Sequence, residues 1–167
     1  GGSTLRANTT GESNVAVGQA ALLLNTTASN NTAVGKSALF ANTTGTPNTA
    51  VGMCSLQANT TGNDNVAIGY RALKLNTTTS SNVAVGVNSL ANNVASNNTA
   101  VGTSALVANT TGASNTAIGL GSLDANTTGG DNVAVGVAAL GANTTATENT
   151  AVGHRALLLT TTGTRNT

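Results

Sequence analysis

Aromatic side chains are almost missing from this chain: one Phe, one Tyr and no Trp among 167 residues. Charge is nearly as scarce. Six Lys and Arg stand against five Asp and Glu, 7% of the chain, for a formal net charge of +1. So few cations exclude the basic stripe that a phosphate-backbone binder needs, and no nucleic-acid partner is expected. A single cysteine, Cys54, excludes an intrachain disulfide. Ala20, Ser37, Arg71 and Asn88 take its place in other repeats, which marks it as an incidental small residue rather than a reactive thiol. No apolar run is long enough to span a bilayer, and no signal-peptide pattern is visible. The chain opens on "GGSTLRANTTG" and stops on "GTRNT", both inside a repeat, so a segment of a longer array is expected. On that reading a missing export signal carries no information about location.

Catalytic equipment is equally thin. His154 is the only histidine, and its column also holds Gln19, Lys36, Met53, Tyr70 and Leu120, the mark of a solvated face. Glu12, Asp64, Asp131 and Glu148 fall in or beside one turn, many repeats apart, and Asp124 stands elsewhere. Such carboxylates do not pair for general acid–base work. No Cys/His group has zinc spacing, and the Asp in nearly every repeat that a calcium-binding solenoid needs is absent. No enzyme is expected, with no catalytic, cofactor-binding or metal-binding residue and no cofactor.

Repetition is what the chain has in abundance. The frame Asn-(Val/Thr)-Ala-(Val/Ile)-Gly occurs nine times, beginning at Asn14, Asn31, Asn48, Asn65, Asn82, Asn98, Asn115, Asn132 and Asn149. The spacing is 17 residues except for 16 between Asn82 and Asn98, where "ANNVASN" shortens a turn. A fixed period signals a repeat architecture. Seventeen residues are too few for a helix–turn–helix unit of about 34. The Ala/Leu-rich "GQAALLLN" is too short to stand as a helix. Each period therefore reads as one coil of an all-β parallel solenoid, or β-roll, with about nine coils in a single array over residues 1–167. Two extended stretches per coil are expected: Asn-Val-Ala-Val-Gly, and the Leu-containing stretch seen in "ALLLN" and "SLQAN". The Thr-Thr-Gly stretch between coils reads as turn. At ~4.8 Å per coil the rod would be on the order of 43 Å long.

Stacking turns equivalent positions into columns. Asn14, Asn31, Asn48 and their successors form one asparagine ladder; Asn25, Asn42, Asn59, Asn76, Asn109, Asn126 and Asn143 form another. Amides one coil apart can donate and accept in register. The strictly β-branched column from Val17 to Val152 and the strictly Leu column from Leu22 to Leu157 are assigned to the interior. The residue after that Leu varies freely and is assigned to solvent. Alternation then places Ala16, Ala33, Ala50, Ala67, Ala84, Ala100, Ala117, Ala134 and Ala151 on the opposite face. A solvated face would drift in sequence, and this one admits only Ala. The column is therefore the candidate subunit interface. Two large apolar side chains per coil are little to set against the entropy of ordering 17 residues, which also argues for a homo-oligomer.

The repeated "NVAIG" at 65–69 and "NTAIG" at 115–119 resemble the head repeats of trimeric autotransporter adhesins, the YadA-like head, and the repeats of related bacterial and phage tail-fibre proteins. The resemblance covers essentially the whole chain. It implies a left-handed parallel β-roll, a homotrimer with three chains side by side, and an extracellular place on a cell surface or virion fibre. This chain departs from the family in its longer period, and it shows no stalk, anchor or chaperone tail. The function expected is a structural segment of a fibre or adhesin. The exposed candidates for binding a host surface or glycan receptor are Gln19, Lys36, Met53, Tyr70 and His154, together with the turn tips. Asn-Thr-Thr is also an N-glycosylation sequon, read here as a turn whose side chains bond the backbone. The alternative function is an ice-binding solenoid using its Thr arrays, although adjacent Thr residues in a strand would point opposite ways.

Overall fold

A computed structural model describes residues 2–167. Each repeat contributes one short strand: β1 (Val15–Val17), β2 (Thr32–Val34), β3 (Asn48–Val51), β4 (Asn65–Ile68), β5 (Val83–Val85), β6 (Thr99–Val101), β7 (Thr116–Ile118), β8 (Val133–Val135) and β9 (Thr150–Val152). They form a single nine-stranded parallel sheet in sequential order. The register pairs like with like: Ala16 with Ala33, Ala50 with Ala67, Val51 with Ile68. The short repeat keeps this register, Val83 facing Thr99 and Ala84 facing Ala100. The fold is the expected β-solenoid.

The second extended stretch is not a strand. After each strand the chain turns twice, with Ala21 N–H donating to Gly18 C=O (3.2 Å) and Asn25 N–H to Leu22 C=O (3.3 Å). In the first of these turns Ala20 has φ +59°, the positive value a type II turn demands at its third residue. Leu22 follows at φ +48°, and the pattern recurs coil after coil through Arg155 and Leu157. Positive φ at these positions breaks the pleat, so alternation cannot run on. The segment still bonds coil to coil, Leu22 N–H to Ala38 C=O and Leu24 N–H to Phe40 C=O, both 3.1 Å.

The Leu column lies inside, as expected. Leu22, Leu39, Leu56, Leu73, Leu90, Leu106, Leu123 and Leu140 are fully buried. The other interior assignment is inverted. Val17 is 56% exposed, Ile118 40% and Val152 71%. The alanines opposite them are the ones inside: Ala33, Ala50, Ala67, Ala84, Ala100, Ala117 and Ala134 have no exposed surface, Ala151 is buried and Ala16 half-buried. They pack with the leucines in one continuous core. The reason is width. A coil closed by a three-residue strand leaves room across it for one Leu and one methyl, not for a facing Val. The invariance of Ala therefore reflects close approach within the coil. These alanines are not available to a second chain, which removes them as a subunit interface. The column after Leu is also less exposed than expected, with Phe40, Gln57 and Lys74 half-buried.

Glycine closes the strand in every coil. Gly86 has φ +136°, and a Cβ there would sit 2.5 Å from the carbonyl oxygen of Gly102 on the next coil. Both the backbone conformation and the spacing between coils require the absence of a side chain.

Candidate functional site

The interior is organised by its two asparagine ladders, which work differently. In the ladder running through Asn25, side-chain amides bond one another: Asn42 Nδ2 donates to Asn25 Oδ1 (3.0 Å), Asn59 to Asn42 (2.9 Å) and Asn126 to Asn109 (2.9 Å). Nδ2 also donates to a turn carbonyl three residues on, as from Asn59 to Gly62 O (3.0 Å), or two residues on in the shortened repeat, from Asn93 to Ala95 O (2.7 Å). Asn8 and Asn93 belong to this ladder as well, accepting from Asn25 and Asn109. Asn93 stands 17 residues after Asn76, in step with the ladder, and the residue missing from the shortened repeat falls after it, between Asn93 and Asn98. In the ladder through Asn14, Oδ1 accepts chiefly from backbone: Asn31 N–H to Asn14 Oδ1 (3.0 Å) and Asn48 N–H to Asn31 Oδ1 (2.8 Å). Its Nδ2 reaches the turn of the following coil, Asn48 to Gly62 O at 2.9 Å. Among the described residues no buried side-chain nitrogen or oxygen lacks a partner. The asparagines thus satisfy the turn backbone from inside, which a coil this thin cannot do with strand pairing alone.

The Thr-Thr pairs divide their labour. The first hydroxyl bonds the coil above: Thr26 Oγ1 to Thr43 O (3.2 Å), Thr43 to Thr60 O (3.0 Å), Thr127 to Thr144 O (3.0 Å). The second Thr of each pair, such as Thr27, Thr44, Thr61, Thr111 and Thr128, is exposed. One exposed Thr column remains, not a two-column array.

The surface has three zones around the strand. The sheet's outer face carries the Val/Thr and Val/Ile columns in a continuous β-branched stripe, with Val15 50%, Val17 56% and Ile68 39% exposed. Sequence reading missed this stripe as a surface because it had assigned half of it to the core. Following the strand comes the predicted binding column. Gln19, Lys36, Met53 and His154 are exposed and Tyr70 is half-buried, and the same column adds exposed Val87, Leu120 and Val137. The Arg71 guanidinium lies 5.0 Å from the centroid of the Tyr70 ring, a cation–π distance. Preceding the strand are the turns that hold Glu12, Asp64, Asp131 and Glu148, all exposed. There Arg165 Nε donates to Glu148 Oε2 at 2.7 Å. That hydrogen bond, with the charge of Arg165 behind it, holds the Glu148 carboxyl below its ordinary value.

Among the described residues no three of His, Cys, Asp and Glu lie close enough to hold a metal ion. Cys54 is a half-buried free thiol. A shallow hollow of about 260 Å³ lies beside Arg6, Ala7, Leu23 and Leu24, with mainly apolar walls. No helix among the described residues is long and apolar enough to cross a membrane. Comparison with protein-family models, curated proteins and solved structures gives no significant match, so the chain is described by its architecture, a β-solenoid of 17-residue coils.

Proposed function

We propose that this chain is a structural segment of an extracellular fibre or adhesin, on a cell surface or a virion, and that it works as a homo-oligomer with a trimer favoured. The observation that carries this reading is the outer stripe of the sheet. A β-branched apolar column runs the length of the solenoid on the outer face of the sheet, with Val17, Ile68, Ile118 and Val152 exposed and Val34, Val51, Val85, Val101 and Val135 half-buried. Contiguous apolar surface of this kind marks an interaction site. Side-by-side packing of copies through this stripe takes over the role first given to the alanines. The likeness of "NVAIG" and "NTAIG" to the adhesin head repeat supports the trimer and a left-handed roll.

The work of such a segment is mechanical. Every coil is hydrogen-bonded to its neighbours and the buried asparagines are internally satisfied, so length is gained by adding identical units. The exposed column of Gln19, Lys36, Met53, Tyr70 and His154 then carries whatever surface or glycan recognition the fibre has. Analytical ultracentrifugation or mass photometry of the chain in native buffer tests the reading. A discrete oligomer, a trimer first of all, is expected, and a monodisperse monomer at micromolar concentration would refute it. Ice binding ranks second: the exposed second Thr supports it, while the hydroxyl of the first is already committed to the backbone. A clear thermal hysteresis would reverse that order.

A further inference from the structure

The shortened repeat leaves a seam in the array. Along most of the solenoid four kinds of bond tie the Thr-Thr turn of one coil to its neighbour. Thr60 N–H and Thr60 Oγ1 both donate to Thr77 O, at 2.7 and 3.1 Å. Asn76 Nδ2 donates to Asn59 Oδ1 at 3.2 Å, and Asn65 Nδ2 to Thr79 O at 2.9 Å. Beyond the shortened repeat the set returns. Thr110 N–H and Oγ1 both donate to Thr127 O at 2.9 Å, Asn126 Nδ2 to Asn109 Oδ1 at 2.9 Å and Asn115 Nδ2 to Gly129 O at 2.9 Å. Between the turn at 76–79 and the turn at 93–95, among the described residues, none of the four forms.

The cause is length. Asn93-Val94-Ala95 covers in three residues the arc that Asn76-Thr77-Thr78-Thr79 covers in four. The two turns cannot follow each other round, and the side chains that would have crossed the gap turn to their own side. Asn93 Nδ2 donates to Ala95 O at 2.7 Å, and Asn82 Nδ2 to Ser80 O at 3.2 Å and Asn65 Oδ1 at 3.3 Å. Thr79 Oγ1 takes the place of the missing donor on Asn76 Oδ1. Each lip of the gap is thus capped, and no buried side-chain polar atom among the described residues lacks a partner. Thr77 and Val94 are exposed, whereas Thr26, Thr43, Thr60, Thr110 and Thr127 in the same column are half-buried. The strand side stays closed: β5 pairs with β6, and Asn98 N–H donates to Asn82 Oδ1 at 3.0 Å.

We infer that the solenoid is built as two cooperative blocks, β1–β5 and β6–β9, which hinge and part at this seam before either block unravels. In a linear array the coupling between neighbours sets how far opening spreads, and the least bonded boundary opens first. The paired strands are the pivot and the turns at 76–79 and 93–95 are the mouth. A rod under load yields there first. The seam lies within one chain and is present whether or not copies associate.

Hydrogen exchange of the full chain, followed residue by residue in rising urea, tests this. The Thr77 amide should exchange at least about ten-fold faster than those of Thr43, Thr60, Thr110 and Thr127. Protection in β1–β5 and in β6–β9 should be lost at two separate urea concentrations. A repaired chain, Val94→Thr with one threonine inserted after it, regains the Asn-Thr-Thr-Ala of residues 25–28. In it the Thr77 amide should slow about ten-fold and the two transitions should merge. A Thr77 amide as protected as its equivalents, or one transition shared by all nine strands of the native chain, would overturn the inference. So would a folded repaired chain with unchanged exchange at Thr77. If the insertion prevents folding, the exchange pattern of the native chain decides alone.

Discussion

Replacing Asn59 with Ala should damage the solenoid far more than its small size implies. Asn59 is fully buried near the middle of the array. Its Nδ2 donates to Asn42 Oδ1 at 2.9 Å and Gly62 O at 3.0 Å, and its Oδ1 accepts from Asn76 Nδ2 at 3.2 Å. The substitution removes all three bonds. Gly62 O keeps the amide of Asn48, and Asn76 keeps Thr79 O. Asn42 Oδ1 loses the donor that satisfied it. Three net hydrogen bonds at roughly 1 kcal/mol each, with one orphaned buried acceptor costing about 1–3 more, give a loss of about 4–6 kcal/mol. Asn92→Ala is the control: its amide also donates to a neighbouring coil, Val107 O at 3.0 Å, but on the exposed surface. It should cost under about 1 kcal/mol. Urea titration followed by circular dichroism measures both. A linear array need not unfold in one step, so hydrogen exchange in the coils around residue 59 should accompany the titration. If Asn59→Ala and Asn92→Ala prove indistinguishable, the ladder is not what holds these turns and the reasoning fails.

The other predictions test packing, spacing and charge. Leu73→Ala should cost about 2–5 kcal/mol by denaturant titration, and Ala67→Val about 1–3 kcal/mol through overpacking, whereas exchanging the outward Val66 for Thr should be nearly silent in the isolated chain. Gly86→Ala should disrupt the array much more than Gly153→Ala. Both sites have φ above +130°, but only at Gly86 would the new Cβ meet a backbone oxygen at 2.5 Å; at Gly153 the nearest atom is a side-chain carbon at 3.9 Å. Thermal midpoints of the two variants check this. Glu148 has its carboxyl held down by Arg165, so the pair's contribution is present above the ordinary carboxylate value near 4.5 and fades as pH falls through the lowered one. The difference in midpoint between the native chain and Glu148→Gln should therefore vanish in acid. Because the pair lies on the exposed surface, it should be small even at neutral pH.

Much of the architecture was readable because stacking turns a period into columns. The strict Leu column and the recurrent Asn positions each pointed to a fixed environment, and both lie inside. Which face of the strand turns inward was not readable from alternation, which yields two faces and no label. Hydrophobicity favoured the Val17 column, while the decisive quantity was the width of the coil, which only Ala fits. The signal was present in the refusal of the Ala16 column to become anything larger. The turn segment was hidden for a different reason. Leu22 and its equivalents hold φ near +48°, a region that bulky residues seldom enter, so an extended stretch was the reading left once the segment proved too short for a helix. The shortened repeat was legible as a deletion in a turn. The bonds that it removes needed the positions of Thr77 and Val94 in space.

Distances along one column test the central claim, that consecutive windows stack as coils around a common axis. Spin labels placed in a Cys54→Ser chain at Gln19 paired with Met53, Val87, Leu120 or His154, diluted with unlabelled protein, span two, four, six and eight coils. The account predicts separations growing evenly, from about 10 Å through about 19 and 29 Å to about 38 Å. Separations that fail to rise in that order would contradict it.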